Sequence, residues 1–195
     1  YQYGNIMFSV MSVFDNKFIK SYMIPSGYIK IALYHGEVGD AITYVGYRLH
    51  GEYITEHFDG YDYVLLGDNH KYQYLNDKKT IAYPSSLIQQ NFGEDIQNHG
   101  ILKWDIIKGN SEFIEIKNDY GYHVLHVDNG KLLDDISSLT LYPRIRFLIK
   151  DTTPIEFNNI INTLKENYNI QQILKEHIRD ISKKDQLNTI QHIDQ

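Results

Sequence analysis

The chain has 195 residues, of which 42 % are hydrophobic and 23 % are charged, and its formal net charge at pH 7 is −6. This composition is that of a folded globular protein with a sizeable core, and the acidic balance argues against a general nucleic-acid coat, which needs clustered Lys and Arg. The chain has no cysteine, which excludes disulfides, thiolate metal sites and cysteine nucleophiles and fits an intracellular, reducing compartment.

Two further features concern the setting of the chain. No apolar run approaches the roughly 20 residues that a membrane-spanning helix needs, so we expect no membrane association. The sequence begins at Tyr1, directly in a strand-like segment and without a start Met. We therefore expect the chain to be the later part of a longer protein or a product cut from it.

The first half of the chain predicts four strands and one helix. Apolar and alternating patterns place strands at 5–14, 17–23, 28–34 and 61–66, and a helix at 46–57. A strand–helix–strand order indicates a parallel or mixed sheet covered by helices, in which functional groups gather at the carboxyl ends of the strands. His35 ends one such strand, and Asp68 and His70 follow the next.

The second half of the chain predicts hairpins and then a strand–helix unit. Turn residues divide 100–133 into three alternating strands, which indicate an antiparallel meander. A strand is expected at 144–150, and it is followed by a capping box from Thr153 to Glu156 with Pro at the first helical position. That helix should end near residue 167. A last, weak helix is indicated by the spacing of Leu174, Ile178 and Ile181.

The residues that follow the apolar strands suggest a metal site. Histidine nitrogen and aspartate oxygen are ligands suited to first-row divalent cations. Because strand ends meet at one edge of a parallel sheet, we expect His35, Asp68 and His70 to converge there. The alternative for any histidine is a surface position without a role. This is the expectation for His50, His57, His99 and His177.

Three runs in chain order carry a family signature: "LYHG" at 33–36, "DYVLLGDNHK" at 62–71 and "IAYPSSLIQQNFGE" at 81–94. They resemble the strand-His-Gly motif, the Gly-His-x-His metal motif and the Tyr-Pro-Gly-Ser and Phe-Gly-Glu segments of calcineurin-like metallophosphoesterases. The resemblance is closest to the SbcD-type branch of double-strand-break repair nucleases, which phages and large DNA viruses also encode. It covers most of the chain.

The resemblance implies a fold and a division into domains. The implied fold class is α/β, as the later portion of a four-layer α/β/β/α metallophosphoesterase sandwich with a small α+β cap. Residues 1–141 would form the later part of the phosphoesterase domain, and residues 142–170 the strand–helix unit of the capping domain. Residues 171–195 would form a weak helix and a polar tail.

The resemblance also implies a chemistry. Two divalent cations about 3.5–4 Å apart would bind the scissile phosphodiester of DNA from both sides. Mn²⁺ is the expected cation, and Mg²⁺ is the alternative. His35 and Asp68 would serve one cation and His70 the other. Substrate contacts would come from Lys71, Ser85, Ser86, Arg144 and Arg146. The implied partners are DNA, an SMC-type ATPase subunit and a second copy of the chain, with no membrane.

The chain departs from the family pattern at two kinds of position. Asp68 stands where the family has histidine, and this harder ligand favours Mn²⁺ or Mg²⁺ over Zn²⁺. Ser85 stands where the family has glycine. The family's earlier motifs, which supply the bridging aspartate and the catalytic acid, are not found in this sequence. No catalytic acid is therefore assigned, and the chain by itself is expected to be a poor enzyme.

Two other functions remain open at this point. The first is a phosphomonoesterase or protein phosphatase of the same superfamily, against which the "SLIQQNFGE" run and the strand–helix cap argue. The second is a truncated, non-catalytic module that keeps the sheet as a surface for binding a partner. For Arg144 and Arg146, which alternate onto one face of their strand, an ordinary solvated strand face is the competing interpretation.

Overall fold

The structure is a computed structural model that describes residues 1–14 and 17–178. It divides the chain into two compact units, Tyr1–Asn118 and Asp119–Gln195, each with a sheet and a core of its own. The domain boundary expected at residues 141/142 therefore falls inside the second unit. None of the helices in the described part of the chain is both long enough and apolar enough to cross a membrane.

The first unit is built on a six-stranded sheet whose four inner strands run parallel. In chain order the strands are β1 (Gln2–Tyr3), β2 (Ile6–Ser12), β3 (Ile29–His35), β4 (Tyr63–Gly67), β5 (Gln73–Tyr74) and β6 (Ile81–Tyr83). Across the sheet they lie in the order β1-β2-β3-β4-β6-β5, with the short β1 and β5 antiparallel at the edges. A separate hairpin joins β7 (Gly100–Asp105) to β8 (Asn110–Glu115).

The middle strands of this sheet form because their sequences are nearly continuous apolar runs, "IKIALY" in β3 and "YVLL" in β4, which suit strands buried inside a parallel sheet. Tyr34 and Leu66 point into the core of the unit, where Phe58 also packs. The register pairs His35 with Gly67, so β3 and β4 end at the same edge of the sheet. This edge holds the candidate site.

The second unit is a four-stranded sheet with one helix. Its elements are β9 (Tyr120–Asp128), β10 (Lys131–Leu132), β11 (Tyr142–Lys150), α1 (Pro154–Asn167) and β12 (Gln172–His177). The order across the sheet is β10-β9-β11-β12, and β11 runs parallel to both β9 and β12. Phe147 of β11 and Phe157 of α1 meet edge to face at 5.1 Å between ring centroids. They lie at the centre of a core of eight buried residues in the described part of this unit.

The predicted capping box is confirmed. The Glu156 amide donates to the Thr153 hydroxyl at 3.3 Å, and the Glu156 carboxylate accepts from the Thr153 amide at 2.8 Å. Pro154 occupies the first helical position, where its missing N–H has no intrahelical acceptor to lose. Hydrogen bonds from the Thr153 backbone and side chain lower the pKa of Glu156.

The predicted fold class is wrong. The structure is 39 % strand and 12 % helical, and the described residues contain one α-helix, so it is no part of a four-layer α/β/β/α sandwich. The helix expected at 46–57 is an irregular loop with one 3-10 turn, Thr55–Phe58. Two glycines explain the difference. Gly46 has φ +81°, and Gly51 lies so close to the Glu37 carbonyl that an added Cβ would sit 2.0 Å from that oxygen.

Three further predictions of local structure are wrong. The strand expected at 17–23 is an extended segment with a 3-10 turn, Ser21–Met23. The meander expected at 100–133 is divided, because β8 pairs with β7 alone and β9 joins the sheet of the second unit. The weak helix expected around Leu174 is β12, which pairs with β11 along its length. Ile181 and the predicted polar tail, residues 183–195, lie outside the described residues.

Candidate functional site

The ends of two adjacent parallel strands bring His35 and Asp68 together. His35 is the last residue of β3, and Asp68 directly follows β4. The distance between His35 Nε2 and Asp68 Oδ1 is 3.9 Å, and the side chains are 78 % and 47 % exposed. Gly67 makes this approach possible, since a Cβ there would sit 2.5 Å from His35 Nδ1. The pair is therefore an exposed nitrogen–oxygen donor pair at the sheet edge.

The turn after β4 is held in an unusual backbone conformation. Asp68 has φ +101°, in the region that favours glycine, so a residue with a side chain is strained there. Asn69 fixes the turn, because its side chain donates to the Ile42 carbonyl at 3.0 Å and accepts from the Lys71 amide at 3.0 Å. This turn directs the Asp68 carboxylate and the His70 imidazole.

The loop after β3 is held in place by the side chain of Tyr83, the last residue of β6. The fully buried Tyr83 hydroxyl donates to the Gly36 carbonyl at 2.6 Å and accepts from the Val38 amide at 3.0 Å. Burial raises the pKa of Tyr83 well above its ordinary value of 10.0. Burial also raises the pKa of Tyr34, and the nearby Tyr53 adds to that increase.

His70 does not share the His35–Asp68 contact but pairs with Glu94. The distance between His70 Nδ1 and Glu94 Oε1 is 2.9 Å, and the side chains are 43 % and 6 % exposed. The Glu94 carboxylate also accepts from the Gln90 amide and from the Asn91 side-chain amide, each at 2.7 Å. A buried carboxylate therefore lies behind one ring nitrogen of His70.

His70, Glu94 and Asp68 line one open pocket of about 470 Å³. Tyr44, Val45, Tyr47 and Leu49 form an apolar wall, and Asn69 and Asn91 add polar groups. Glu37 also lines it, directly after the His35-Gly36 turn. Acidic, amide and imidazole groups face an aromatic wall, which is an arrangement suited to a polar ligand with a flat apolar part.

The donor atoms of the His35–Asp68 pair fit a shared divalent cation. Two ligands at bond lengths of about 2.0–2.2 Å from one ion are separated by at most roughly 4.4 Å, and the observed separation of 3.9 Å lies within this limit. Among the residues that the structure describes, no group of three or more His, Asp or Glu is close enough to hold a metal ion. Of the three predicted ligands, two are in contact, and the third lines the pocket beside Asp68.

The remaining predicted site residues are divided between the units. Lys71 Nζ lies 3.5 Å from the Thr43 carbonyl at the pocket rim. Ser85, with φ +83°, donates to the His70 carbonyl at 2.8 Å and so supports the turn that carries His70. Arg144 and Arg146 belong to β11 of the second unit, and the Arg144 guanidinium lies 5.2 Å from the centre of the Tyr122 ring.

Ser86 is engaged with a histidine that we expected at the surface. The prediction for His99 is wrong, because its ring is buried, with Nδ1 3.0 Å from the Ser86 hydroxyl and Nε2 2.7 Å from the Asp95 carbonyl. These contacts link the segment after β6 to the start of β7. Ser86 is thus a structural residue of this segment, and its substrate contact stays a prediction.

Two residues of the site were not predicted from the sequence. Glu94 belongs to the "FGE" run, but nothing in the sequence showed that its carboxylate faces a histidine 24 positions earlier. Glu37 lies two residues after His35, and its position behind a strand-ending His-Gly pair was the one signal for it. Contacts made across an irregular loop do not follow the residue spacing of a helix or a strand, so the sequence pattern does not predict them.

Comparisons with known proteins find similarity to a viral protein. No protein-family model matches it. The chain is similar to an uncharacterized protein of Acanthamoeba polyphaga mimivirus, with 44 % identity over 186 residues. The similarity covers 90 % of this chain but 14 % of the viral protein, so the chain spans a small part of the length of that relative.

Proposed function

We propose that this chain forms part of a metal-dependent phosphoesterase that hydrolyses phosphodiester bonds in DNA. The observation that carries the proposal is the contact of His35 with Asp68 at the ends of two adjacent parallel strands. Imidazole and carboxylate donors this close together, and open to solvent, suit a first-row divalent cation, Mn²⁺ before Mg²⁺. The order of the three motifs along the chain supports the same proposal.

Each residue has a role in this proposal. His35 and Asp68 would hold one cation, and His70 would hold a second. Bound divalent cations supply charge opposite the scissile phosphate and make a coordinated water acidic enough to ionise near neutral pH. Gly67 gives the His35 ring its position, and the Asn69 side chain fixes the turn that aims Asp68.

The wider setting is also proposed. Lys71 at the pocket rim is the cation of the first unit best placed for a substrate phosphate, and Arg144 and Arg146 of the second unit are candidates for DNA contacts. We place the activity inside the host cell, in cytoplasm or nucleus, which the viral relative and the lack of cysteine support. An SMC-type ATPase partner and a homodimer rest on the motif resemblance alone.

The first test is cation binding by the 195-residue chain. Titration of Mn²⁺ followed by electron paramagnetic resonance should detect a site, and His35→Ala or Asp68→Asn should weaken it by roughly tenfold or more because each removes a ligand. His177→Ala, an exposed histidine of β12 in the second unit, is the matched control and should bind as the unaltered protein does. Equal Mn²⁺ affinity in all four proteins would contradict the proposal.

The second test separates the candidate functions. The chain and its variants should be assayed with a model phosphodiester, a model phosphomonoester and DNA. Diester and DNA hydrolysis that needs His35 and His70 supports the nuclease. Hydrolysis of the monoester alone favours the phosphomonoesterase or protein phosphatase, and Mn²⁺-independent partner binding without hydrolysis favours the non-catalytic module.

A further inference from the structure

We infer that Glu94 is the positioning residue of His70: it holds the proton of the neutral imidazole on Nδ1 and turns Nε2 toward the pocket. The functional meaning of this arrangement rests on the proposed function, since Nε2 would be the atom that binds the second cation. The arrangement of the proton itself does not depend on any cation. It can therefore be tested separately.

The geometry gives the direction of the hydrogen bond. An ionised carboxylate can accept hydrogen bonds but has none to donate. At 2.9 Å from Glu94 Oε1, His70 Nδ1 must then carry the hydrogen. A neutral imidazole has one hydrogen on its two nitrogens, so Nε2 keeps its lone pair. The His70 side chain is 43 % exposed and lines the open pocket, which is the side to which we assign Nε2.

Glu94 is itself held so that it can do this. Its side chain is 6 % exposed, and the Gln90 amide and the Asn91 side chain both donate to its carboxylate at 2.7 Å. The Gln89 side chain donates to its backbone carbonyl at 2.8 Å. The three donors fix both oxygens and the backbone of Glu94. A buried, fully bonded carboxylate of this kind has little freedom to turn away from the ring.

The opposite side of His70 is fixed as well. The Ser85 hydroxyl donates to the His70 carbonyl at 2.8 Å, so the backbone and the ring are each held by a separate hydrogen bond. A carboxylate behind the distal nitrogen of a metal-binding histidine sets the ring orientation and increases the ligand's basicity, and its removal typically costs about 10–100-fold in metal affinity. Glu94 would act on the cation through His70 and not as a ligand of its own.

The decisive readout is the tautomer of His70 in the metal-free protein. Nitrogen NMR of histidine-labelled protein, at a pH where the ring is neutral, distinguishes a hydrogen on Nδ1 from one on Nε2. We expect the Nδ1–H form in the unaltered chain and in Glu94→Asp, which keeps an acceptor-only group. In Glu94→Gln the Gln90 amide still needs an acceptor at the position of Oε2, so the side-chain oxygen should lie there and the NH2 group should face and donate to Nδ1. The hydrogen of the ring should then move to Nε2. Glu115→Gln, in β8, is the control.

The outcomes are distinct. An Nε2–H form in the unaltered chain overturns the inference even if Glu94→Gln fails to fold, and so does an Nδ1–H form in Glu94→Gln. A tautomer change together with a 10–100-fold loss of Mn²⁺ affinity supports both the inference and the proposed function. A tautomer change with Mn²⁺ affinity unaltered upholds the role of Glu94 toward His70 and counts against the proposed function.

Discussion

Because Gly67 has no side chain, the His35 ring can lie close to Asp68. The His35 ring lies against the backbone of Gly67, with 2.5 Å between Nδ1 and the position that a Cβ would take. Because the His35 side chain is 78 % exposed, it could swing into solvent if that space were filled. The glycine therefore matters for the placement of the ligand more than for stability.

This argument predicts the behaviour of Gly67→Ala. The free energy of unfolding should change by less than about 1 kcal/mol, because the displaced ring is a surface side chain. Mn²⁺ binding should weaken as much as in His35→Ala, since the ring leaves Asp68. The double variant Gly67→Ala, His35→Ala should bind no more weakly than either single variant. Additive losses in the cycle would show that the alanine acts on something other than His35.

How far the sequence predicted the site depends on where each contact originates. The contact of His35 with Asp68 follows from one general rule, that parallel strands end at the same edge, applied to two apolar runs that stop on polar residues. The Glu94 contact comes from a hydrogen-bonded turn at residues 89–94 with no periodicity to extrapolate. The positive φ of Asp68 could not be predicted from the sequence either. A glycine indicates such a backbone conformation, and an aspartate does not.

At the scale of elements, β6 stabilises the site from inside the sheet. Its last residue, Tyr83, satisfies the Gly36 carbonyl and the Val38 amide, the two backbone groups that bracket Glu37. Both hydrogen bonds are buried, so neither backbone group can form a hydrogen bond with solvent water if the Tyr83 hydroxyl is removed. The loop after β3 is thus fixed by a side chain from two strands away.

Tyr83→Phe should accordingly destabilise the first unit. Leaving a buried carbonyl and a buried amide unpaired costs about 1–3 kcal/mol for each group, and we expect a loss in that range for the variant. Denaturant unfolding followed by amide signals of β3 and β4 measures it. Tyr22→Phe, at a tyrosine that is 78 % exposed, is the control and should change little. An unaltered stability in Tyr83→Phe would mean that water replaces the hydroxyl.

The same tyrosine gives a pH dependence. Because burial raises the folded-state pKa of Tyr83, its contribution is fully present below the unfolded-state pKa of 10.0 and is lost as pH rises beyond it. Stability of the first unit should fall above about pH 10, and less steeply in Tyr83→Phe. Equal slopes for the two proteins would remove Tyr83 as the cause.

Helices and strands could be predicted where the local sequence pattern favours the same structure as the tertiary contacts do. The apolar runs of β3 and β4 and the capping box of α1 are confirmed, because their sequences dictate structure within a few residues. The error at β12 has a different origin. Five of its six residues are exposed, so no pattern of burial marks it as a strand, and only its pairing with β11 defines it. Likewise, no local signal in β8 excludes β9 as its partner.

At the scale of the whole molecule, the chain consists of two units with separate cores. The core of the first unit is built around Tyr34, Phe58 and Tyr83, and that of the second around Ile145, Phe147 and Phe157. Each sheet draws its strands from its own unit. Units with their own cores are expected to unfold as separate cooperative units.

Phe147→Ala tests this separation in the complete chain. Phe147 is fully buried, and removing such a ring typically costs about 3–5 kcal/mol. Hydrogen exchange should accelerate in β9, β11 and α1, while the protection of β3 and β4 stays unchanged. Phe14→Ala, at a residue that is 92 % exposed, is the control for loss of a phenyl ring without loss of a core. Equal acceleration in both units would show a single cooperative fold.

The left-handed backbone at Asp68 creates a conflict between thermal stability and the presence of a carboxylate at this position. Glycine adopts φ +101° without the penalty that a side chain incurs, so a library screened only for survival at high temperature should enrich glycine at this position. Each such clone would lose a carboxylate from the sheet edge. Laboratory evolution toward stability would then yield more stable proteins that lack the carboxylate of the proposed cation site, and the residue recovered at position 68 would report which demand the selection had imposed.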